Sequence, residues 1–287
     1  MNESNRTTLS VMAVIAVLMG LYLVFIAPGL FDTTMDQLIL KQSKQATNLT
    51  AGPLSRLYLG AIYSGIEMLA GLALIVISYA IYKGKKWAWA LAVLLLAIPA
   101  MVNGYIGLGW LENLKKFPPA YTTFFLSLIA FWAMILLKKN DGKTKVAMFS
   151  VFTLLGMLGS QGFMLFPHAI RVILKDPAAA LLDPAAAILR RTGPLMFIVV
   201  LLSAFAIWKL AQRKESGWYL ALLAGLTMAM GAFPVHYLRP TASLVPADTL
   251  APSVFTSAYW MAGAQGVILV ILLLIPFFKD RLYDKEE

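Results

Sequence analysis

The sequence predicts an all-α, polytopic membrane protein with eight transmembrane helices, and three observations support this fold class. Of the 287 residues, 60% are hydrophobic and only 13% are charged, a composition outside the range of soluble domains. The hydrophobic residues are gathered into runs of about 20, the length that a helix needs to cross a hydrocarbon core of ~30 Å. These runs are continuous, whereas the strands of a membrane β-barrel would alternate apolar and polar residues.

Eight such runs define the predicted spans. They are Leu9–Phe31, Leu57–Tyr82, Trp87–Gly109, Ala120–Leu137, Val146–Pro167, Pro194–Leu210, Trp218–Tyr237 and Thr256–Phe278. Aromatic residues lie at several predicted ends, among them Trp110 and Tyr237. This placement is typical of side chains at a membrane–water interface.

The distribution of basic residues predicts the topology. Fourteen of the 24 Lys and Arg residues lie in the short segments on the N-terminal side of the membrane. Because basic loops stay inside, we expect both termini in the cytoplasm of a protein that crosses the inner or plasma membrane several times. The net charge of +10 then indicates contact with anionic membrane lipids and not with nucleic acid.

The order of the spans predicts two parallel four-helix repeats, residues 1–140 and 141–287, within a single membrane domain. Each half has the same order of spans, and Lys85–Trp89 resembles Lys214–Tyr219. Four spans per half preserve the orientation, so the repeats should be parallel. Each outward-running helix also has a proline near its outer end, which should bend or end that helix. These are Pro28, Pro99, Pro167 and Pro234.

The outer loops are predicted to contain short interfacial helices. Asp176–Leu182 and Asp183–Leu189 each read Asp-Pro followed by three alanines and two aliphatic residues. Asp suits the position before a helix and Pro suits its first turn, so each heptad can begin a short helix on the membrane surface.

Several function classes are excluded by what the sequence lacks. Without cysteine there is no disulfide, iron–sulfur cluster or thiol nucleophile. Neither a nucleophile elbow nor a phosphate-binding glycine loop occurs. A metal site made of Glu67, His168 and His236 would require ligands from different depths to converge. The sequence therefore favours a non-catalytic role.

Glu67 is the first candidate site residue, because ionisable groups inside a membrane are costly. It lies about ten residues into its span, which is ~15 Å along the helix. Two interpretations remain open. The carboxyl group is either protonated and hydrogen-bonded to a neighbouring helix, or charged and exposed to a wet cavity.

Other polar residues within the spans share the outer half of the membrane. They are Asn103, Gln161, His168, His236 and Gln265, with Tyr105, Ser160 and Tyr259 nearby. Their shared depth predicts an outer-half pocket. The alternative is that Asn and Gln only hold neighbouring helices together through hydrogen bonds.

His-x-x-Arg occurs twice just beyond the outer prolines, as His168 with Arg171 and as His236 with Arg239. In a helix, residues three apart share a face, so both elements could form a cationic rim for a carboxylate, a phosphate or a lipid headgroup. Interfacial Arg and His can instead extend to headgroups without any specific ligand. Two histidines on different helices also leave open a haem or quinone site.

These residues lead to one hypothesis and two alternatives. The hypothesis is a binder or transporter of an anionic or amphipathic small molecule or lipid, or a subunit of a larger membrane complex. The alternatives are a redox subunit with haem or quinone near His168 and His236, and a structural scaffold without ligand. Membrane lipids and other membrane-protein subunits are the expected partners. The predicted ligand-binding residues are Glu67, Asn103, Gln161, His168, Arg171, His236 and Arg239.

Overall fold

The computed structural model describes residues 3–43, 51–175, 184–238 and 254–284. Within these residues the chain forms ten helices and no strand. The helices are α1 Glu3–Phe25, α2 Ala27–Ser43, α3 Ala51–Tyr82, α4 Lys86–Leu114, α5 Ala120–Leu137, α6 Gly142–Lys175, α7 Pro184–Ala211, α8 Glu215–Leu238, α9 Val254–Leu274 and α10 Pro276–Leu282.

Eight of these helices, all except α2 and α10, are long and apolar enough to cross a membrane. Each overlaps one of the eight runs recognised in the sequence, which confirms the prediction of an all-α polytopic membrane protein. The identity of the membrane and the side on which the termini lie stay predictions.

The eight long helices pack as two rings of four. In the first ring α1, α3, α4 and α5 each contact the next helix, and α5 also contacts α1. In the second ring α6, α7, α8 and α9 follow the same order, with α9 against α6. The rings meet where α4 packs against α6 and α7. This arrangement supports the division near residue 140, while a duplicated origin of the halves stays a prediction.

Glycine pairs allow two of the helix contacts to be very close. A Cβ atom added at Gly20 on α1 would lie 2.7 Å from the carbonyl oxygen of Gly71 on α3. A Cβ atom at Gly225 on α8 would lie 2.8 Å from the carbonyl oxygen of Gly266 on α9. Small residues commonly bring helix backbones together in this way within membranes.

We call the end of the bundle with the basic turns the basic face, and the other end the distal face. The basic face holds the start of α1, the connections α3–α4, α5–α6 and α7–α8, and α10. Contacts join these segments: the Arg6 guanidinium donates to the Tyr82 hydroxyl at 3.2 Å, and that of Arg213 to Asp284 at 2.8 Å. The separate basic turns predicted from the sequence therefore lie together.

The first predicted span, Leu9–Phe31, is wrong at its outer end. The transmembrane helix α1 ends at Phe25, and after a turn at Ile26 the chain forms α2 on the distal face. Pro28 is the second residue of α2, where its missing N–H would have no partner within the helix. Helix α2 buries Phe31 and Thr34, and the Thr34 hydroxyl oxygen accepts a hydrogen bond from the Ala120 N–H at 3.0 Å.

The other three outer prolines lie inside helices. Pro99, Pro167 and Pro234 are followed by 15, 8 and 4 further helical residues, respectively, so proline does not end α4, α6 or α8. In contrast, the last predicted span, Thr256–Phe278, ends early. Helix α9 stops at Leu274, because Pro276 disfavours helical geometry at the residue before it and instead begins α10.

The prediction that each Asp-Pro heptad begins a short helix can be compared with the structure for the second heptad only. Asp176–Leu182 lies outside the described residues. In the second heptad the structure describes a helix from Pro184 onwards, and this helix continues without a break to Ala211 as the 28-residue α7. The prediction of a separate short helix, with the span starting only at Pro194, is therefore wrong. The alanine-rich segment has a high helix propensity, which favours a single long helix.

Candidate functional site

A cavity of about 380 Å³ lies between α4, α5 and α6, with one residue of α9 in its wall. Tyr121, Phe124 and Phe131 of α5 form an aromatic side, and Ala100 and Met101 of α4 lie among the apolar lining residues. The lining extends along α5 from the distal face to Trp132. The volume of the cavity lies within the range of volumes found for small-molecule sites, ~300–1,000 Å³.

The polar part of the wall comes mainly from two glutamines. Gln161 on α6 and Gln265 on α9 both line the cavity. In each, the carboxamide oxygen is buried and has no hydrogen-bond partner among the described residues. An unsatisfied buried acceptor costs about 1–3 kcal/mol, so a hydrogen-bond donor from a ligand would offset a cost already present in the protein.

Ser160 adds a hydroxyl group to the same wall. It lies opposite Gly104 of α4, where an added Cβ atom would be 2.8 Å from the Ser160 hydroxyl oxygen. Glycine therefore leaves the space that this hydroxyl group occupies between α4 and α6.

Towards the basic face, the cavity lining includes a contact between α5 and α6. The Trp132 indole N–H donates to the Thr153 hydroxyl oxygen at 3.0 Å, and both residues line the cavity. The Trp132 ring also packs against Phe149, with ring centroids 5.3 Å apart.

Tyr121 forms the wall near the distal face, and Gly107 makes room for it. A Cβ atom at Gly107 would overlap the Tyr121 ring, so the ring lies directly against the backbone of α4. Phe117 and Phe124 pack around the same ring, with centroids at 5.5 and 5.7 Å. The position of Tyr121 thus depends on a glycine outside the cavity wall.

Glu67 and Asn103 form a second polar element, on another side of α4. Glu67 on α3 and Asn103 on α4 are both buried. The Asn103 amide nitrogen donates to Glu67 Oε1 at 2.5 Å and to the Pro99 carbonyl oxygen at 2.9 Å. Glu67 therefore faces the interior of the bundle and has a hydrogen-bond partner on the neighbouring helix α4. Neither residue lines the cavity.

In the described part of the chain, the two histidines contact different tyrosines. His168 is buried, and its Nδ1 lies 3.0 Å from the Tyr259 hydroxyl oxygen on α9. His236 is partly buried and lies edge-on to the neighbouring Tyr237 ring. Neither histidine lines the cavity.

The rest of the predicted cationic rim is not described. The side chain of Arg171 and the whole of Arg239 lie outside the described residues. A site made of both His-x-x-Arg elements therefore stays a prediction, as does a haem or quinone between the histidines. Among the described residues, no group of three or more His, Cys, Asp or Glu side chains could hold a metal ion.

Of the predicted ligand-binding residues whose side chains the structure describes, only Gln161 lines the cavity. Gln265 and Ser160 were expected at the same depth from the sequence, whereas the aromatic side made by α5 was not. The signal was present: Tyr121, Phe124, Leu128 and Phe131 follow the spacing of one helix face. In a membrane protein that spacing is equally typical of core or lipid contacts, so it could not identify a cavity.

Comparisons of the chain with models of known protein families, with curated proteins and with solved structures find no match.

Proposed function

We propose that this membrane protein binds an uncharged amphipathic molecule in the cavity between α4, α5 and α6. The observation that carries the proposal is the pair of buried, unpartnered carboxamide oxygens of Gln161 and Gln265 in a wall that is otherwise largely apolar. An apolar chain would pack against the aromatic side, and a hydroxyl or amide head group would bind the glutamines.

The chemistry of the wall favours an uncharged head group over an anion. No Lys, Arg or His of the described residues lines the cavity. An anionic group there would lose its hydration without gaining an opposite charge. A carboxamide both donates and accepts hydrogen bonds, so an alcohol or amide can be matched by the two glutamines.

The direct test is thermal unfolding of the purified protein with three probes of equal chain length: dodecan-1-ol, dodecanamide and dodecanoate. A ligand that binds only the folded state raises the melting temperature, and the rise grows with the ratio of its free concentration to its Kd. We expect the alcohol and the amide to raise it in a concentration-dependent manner, and dodecanoate to raise it less at neutral pH.

Gly156→Phe tests whether the cavity is the site. Gly156 lines the cavity, and a Cβ atom added there would have no other atom within 4 Å, so a phenylalanine ring can occupy the space without a clash at its first atom. The matched control is Gly65→Phe, at an exposed position of α3 that is equally free of neighbours. The stabilisation by dodecan-1-ol should disappear in Gly156→Phe and persist in Gly65→Phe.

Gln161→Leu and Gln265→Leu test the head-group contact. Each change removes an unpartnered buried acceptor, so we expect the fold to be retained. The alcohol-dependent stabilisation should nevertheless weaken in both variants. Equal stabilisation of the wild type, both leucine variants and Gly156→Phe would overturn the proposal and favour a bundle that contacts lipids only.

A further inference from the structure

The paired side chains of Glu67 and Asn103 are each left with one unpartnered oxygen. Glu67 is 1% exposed and Asn103 is fully buried. The Asn103 amide nitrogen donates one hydrogen to Glu67 Oε1 and the other to the Pro99 carbonyl oxygen. Glu67 Oε2 and Asn103 Oδ1 have no partner among the described residues. With an ionised carboxyl group both atoms are acceptors, so neither can satisfy the other.

We propose that Glu67 and Asn103 form a proton-binding site inside the membrane-spanning bundle. The proton binds to Glu67 Oε2, which then donates a hydrogen bond to Asn103 Oδ1. The proton comes from hydronium or water at the membrane surface, so one O–H bond forms at Glu67 as one O–H bond of the donor breaks, and the charge of the pair changes from −1 to 0. A carboxylic acid and a carboxamide each present an acceptor and a donor joined through one carbon. They can therefore form two parallel hydrogen bonds, and a single proton satisfies both unpartnered oxygens.

Among the described residues, the surroundings of Glu67 contain no compensating cation. No Lys, Arg or His of the described residues forms an ion pair with Glu67, and none interacts electrostatically with its carboxyl group. An ionised carboxylate in this position would lose its hydration and gain only the single hydrogen bond from Asn103.

The nearby titratable groups on the helices around Glu67 are tyrosines. Helix α1 contributes Tyr22, which is close enough to be affected by the Glu67 charge, and α3 itself contributes Tyr63 one turn away. Tyr105 of α4 and Phe163 of α6 pack against the Tyr63 ring, with centroids at 6.2 and 4.9 Å. Helix α2 also packs against α3, and its charged residues are exposed. These are Asp32, Asp36 and Lys41.

This site is separate from the cavity, so the two proposals can fail independently. Ala100, Met101 and Gly104 of α4 line the cavity, whereas Asn103 on the same helix contacts Glu67 on α3. A change at Glu67 removes no cavity-lining atom. Dodecan-1-ol binding can therefore be measured in Glu67 variants as a control for an intact bundle.

The test is infrared spectroscopy of the full chain in lipid nanodiscs at pH 7. A protonated carboxyl group gives a C=O stretching band that is distinct from carboxylate and amide bands and that moves in D₂O. We expect such a band in the wild type and its complete loss in Glu67→Gln. Glu215→Gln removes a partly exposed carboxyl group on the basic face and should leave the band unchanged.

Asn103→Ala should shift the band to the higher frequency of a carboxylic acid without hydrogen bonds, because the partner of both oxygens is removed.

Glu67→Gln should retain the melting temperature, since a glutamine amide can form the same two hydrogen bonds with Asn103, whereas Glu67→Leu should lower it. A folded wild-type protein without a band that depends on Glu67, or a band that Asn103→Ala leaves in place, would overturn the proposal.

Discussion

Trp89 and Trp218 make the same two contacts in the two halves of the bundle. The Trp89 indole N–H donates to the Met134 carbonyl oxygen of α5 at 2.9 Å, and that of Trp218 to the Leu273 carbonyl oxygen of α9 at 3.0 Å. A lysine ammonium group covers each ring: Lys138 lies 4.6 Å from the Trp89 centroid, and Lys279 lies 4.8 Å from that of Trp218.

The turns before these tryptophans also correspond. Gly84 and Arg213, each five residues before its tryptophan, have φ angles of 72° and 63°. Each N–H bonds to the carbonyl oxygen three residues earlier, and the next N–H bonds to the one five residues earlier. These shared features support the predicted parallel repeat at residue level.

Trp89→Phe and Trp218→Phe should each lower the free energy of unfolding by about 1 kcal/mol or more. Both changes keep an aromatic ring under the lysine but remove a buried hydrogen bond between the third and fourth helices of a half. Equilibrium unfolding in mixed micelles measures the difference. Trp87→Phe is the control, because Trp87 is 52% exposed. Losses no larger than that of Trp87→Phe would contradict a structural role for these hydrogen bonds.

Gly71→Ala should weaken the packing of α1 against α3. The new methyl group would lie 2.8 Å from the Gly20 carbonyl oxygen, so the backbones must separate, at a cost of about 1–3 kcal/mol. Gly65→Ala, six residues earlier on the same helix, meets no atom within 4 Å and should be neutral or stabilising by up to about 1 kcal/mol. Unfolding in mixed micelles compares the two, and equal effects would argue against close packing at Gly71.

Asp141→Ala should destabilise the protein near neutral pH and lose this effect in acid. Hydrogen bonds from the Thr144 hydroxyl group and from the Thr144 backbone N–H hold the pKa of Asp141 below its usual value. A lowered folded-state pKa stabilises the fold above the ordinary aspartate pKa of about 3.9, and this contribution is lost as the pH falls through the folded-state value.

The measurement is the difference in unfolding free energy between wild type and Asp141→Ala from pH 7 to pH 3. We expect it to be constant down to about pH 5 and then to decrease. Asp36→Ala is the control, because it removes an exposed aspartate within α2 and leaves the start of α6 unchanged. A difference that grows in acid would have the wrong sign for the proposed contact.

Reporter fusions test the predicted topology. A reporter fused after Gly142, in the basic connection between the halves, should lie in the cytoplasm, and so should one at the C-terminus. A fusion after Phe117, between α4 and α5, should lie on the other side of the membrane. An external signal at Gly142 would contradict both the orientation and the assignment of four spans to the first half.

The spans could be predicted from the sequence because their signal is local: length and hydropathy alone identify a helix that can cross a membrane. Their ends were less predictable. Phe31 looks like the end of an apolar run, yet it belongs to α2, which buries Phe31, Met35 and Leu38 while Asp32 and Asp36 are exposed. That distinction depends on which helices surround the segment, and hydropathy does not contain this information.

The candidate sites were predictable only in part. The cost of a lipid-facing carboxyl group predicts that Glu67 has a polar partner, but Asn103 becomes that partner through the rotation of α4 against α3. The same rotation directs Asn103 away from the cavity, where Gln161 remains. Shared depth along the membrane is visible in the sequence, whereas the rotation of each helix about its axis follows from packing of the whole bundle.

The contact between Gly107 and Tyr121 makes the proposed ligand preference open to change by a single substitution outside the cavity wall. Any larger residue at position 107 must push the Tyr121 ring aside and reshape the cavity near the distal face, with every lining residue retained. In evolutionary terms, related chains with identical walls could diverge in specificity through this one position. A survey of specificity in such chains should therefore compare residue 107 as well as the residues that touch the ligand.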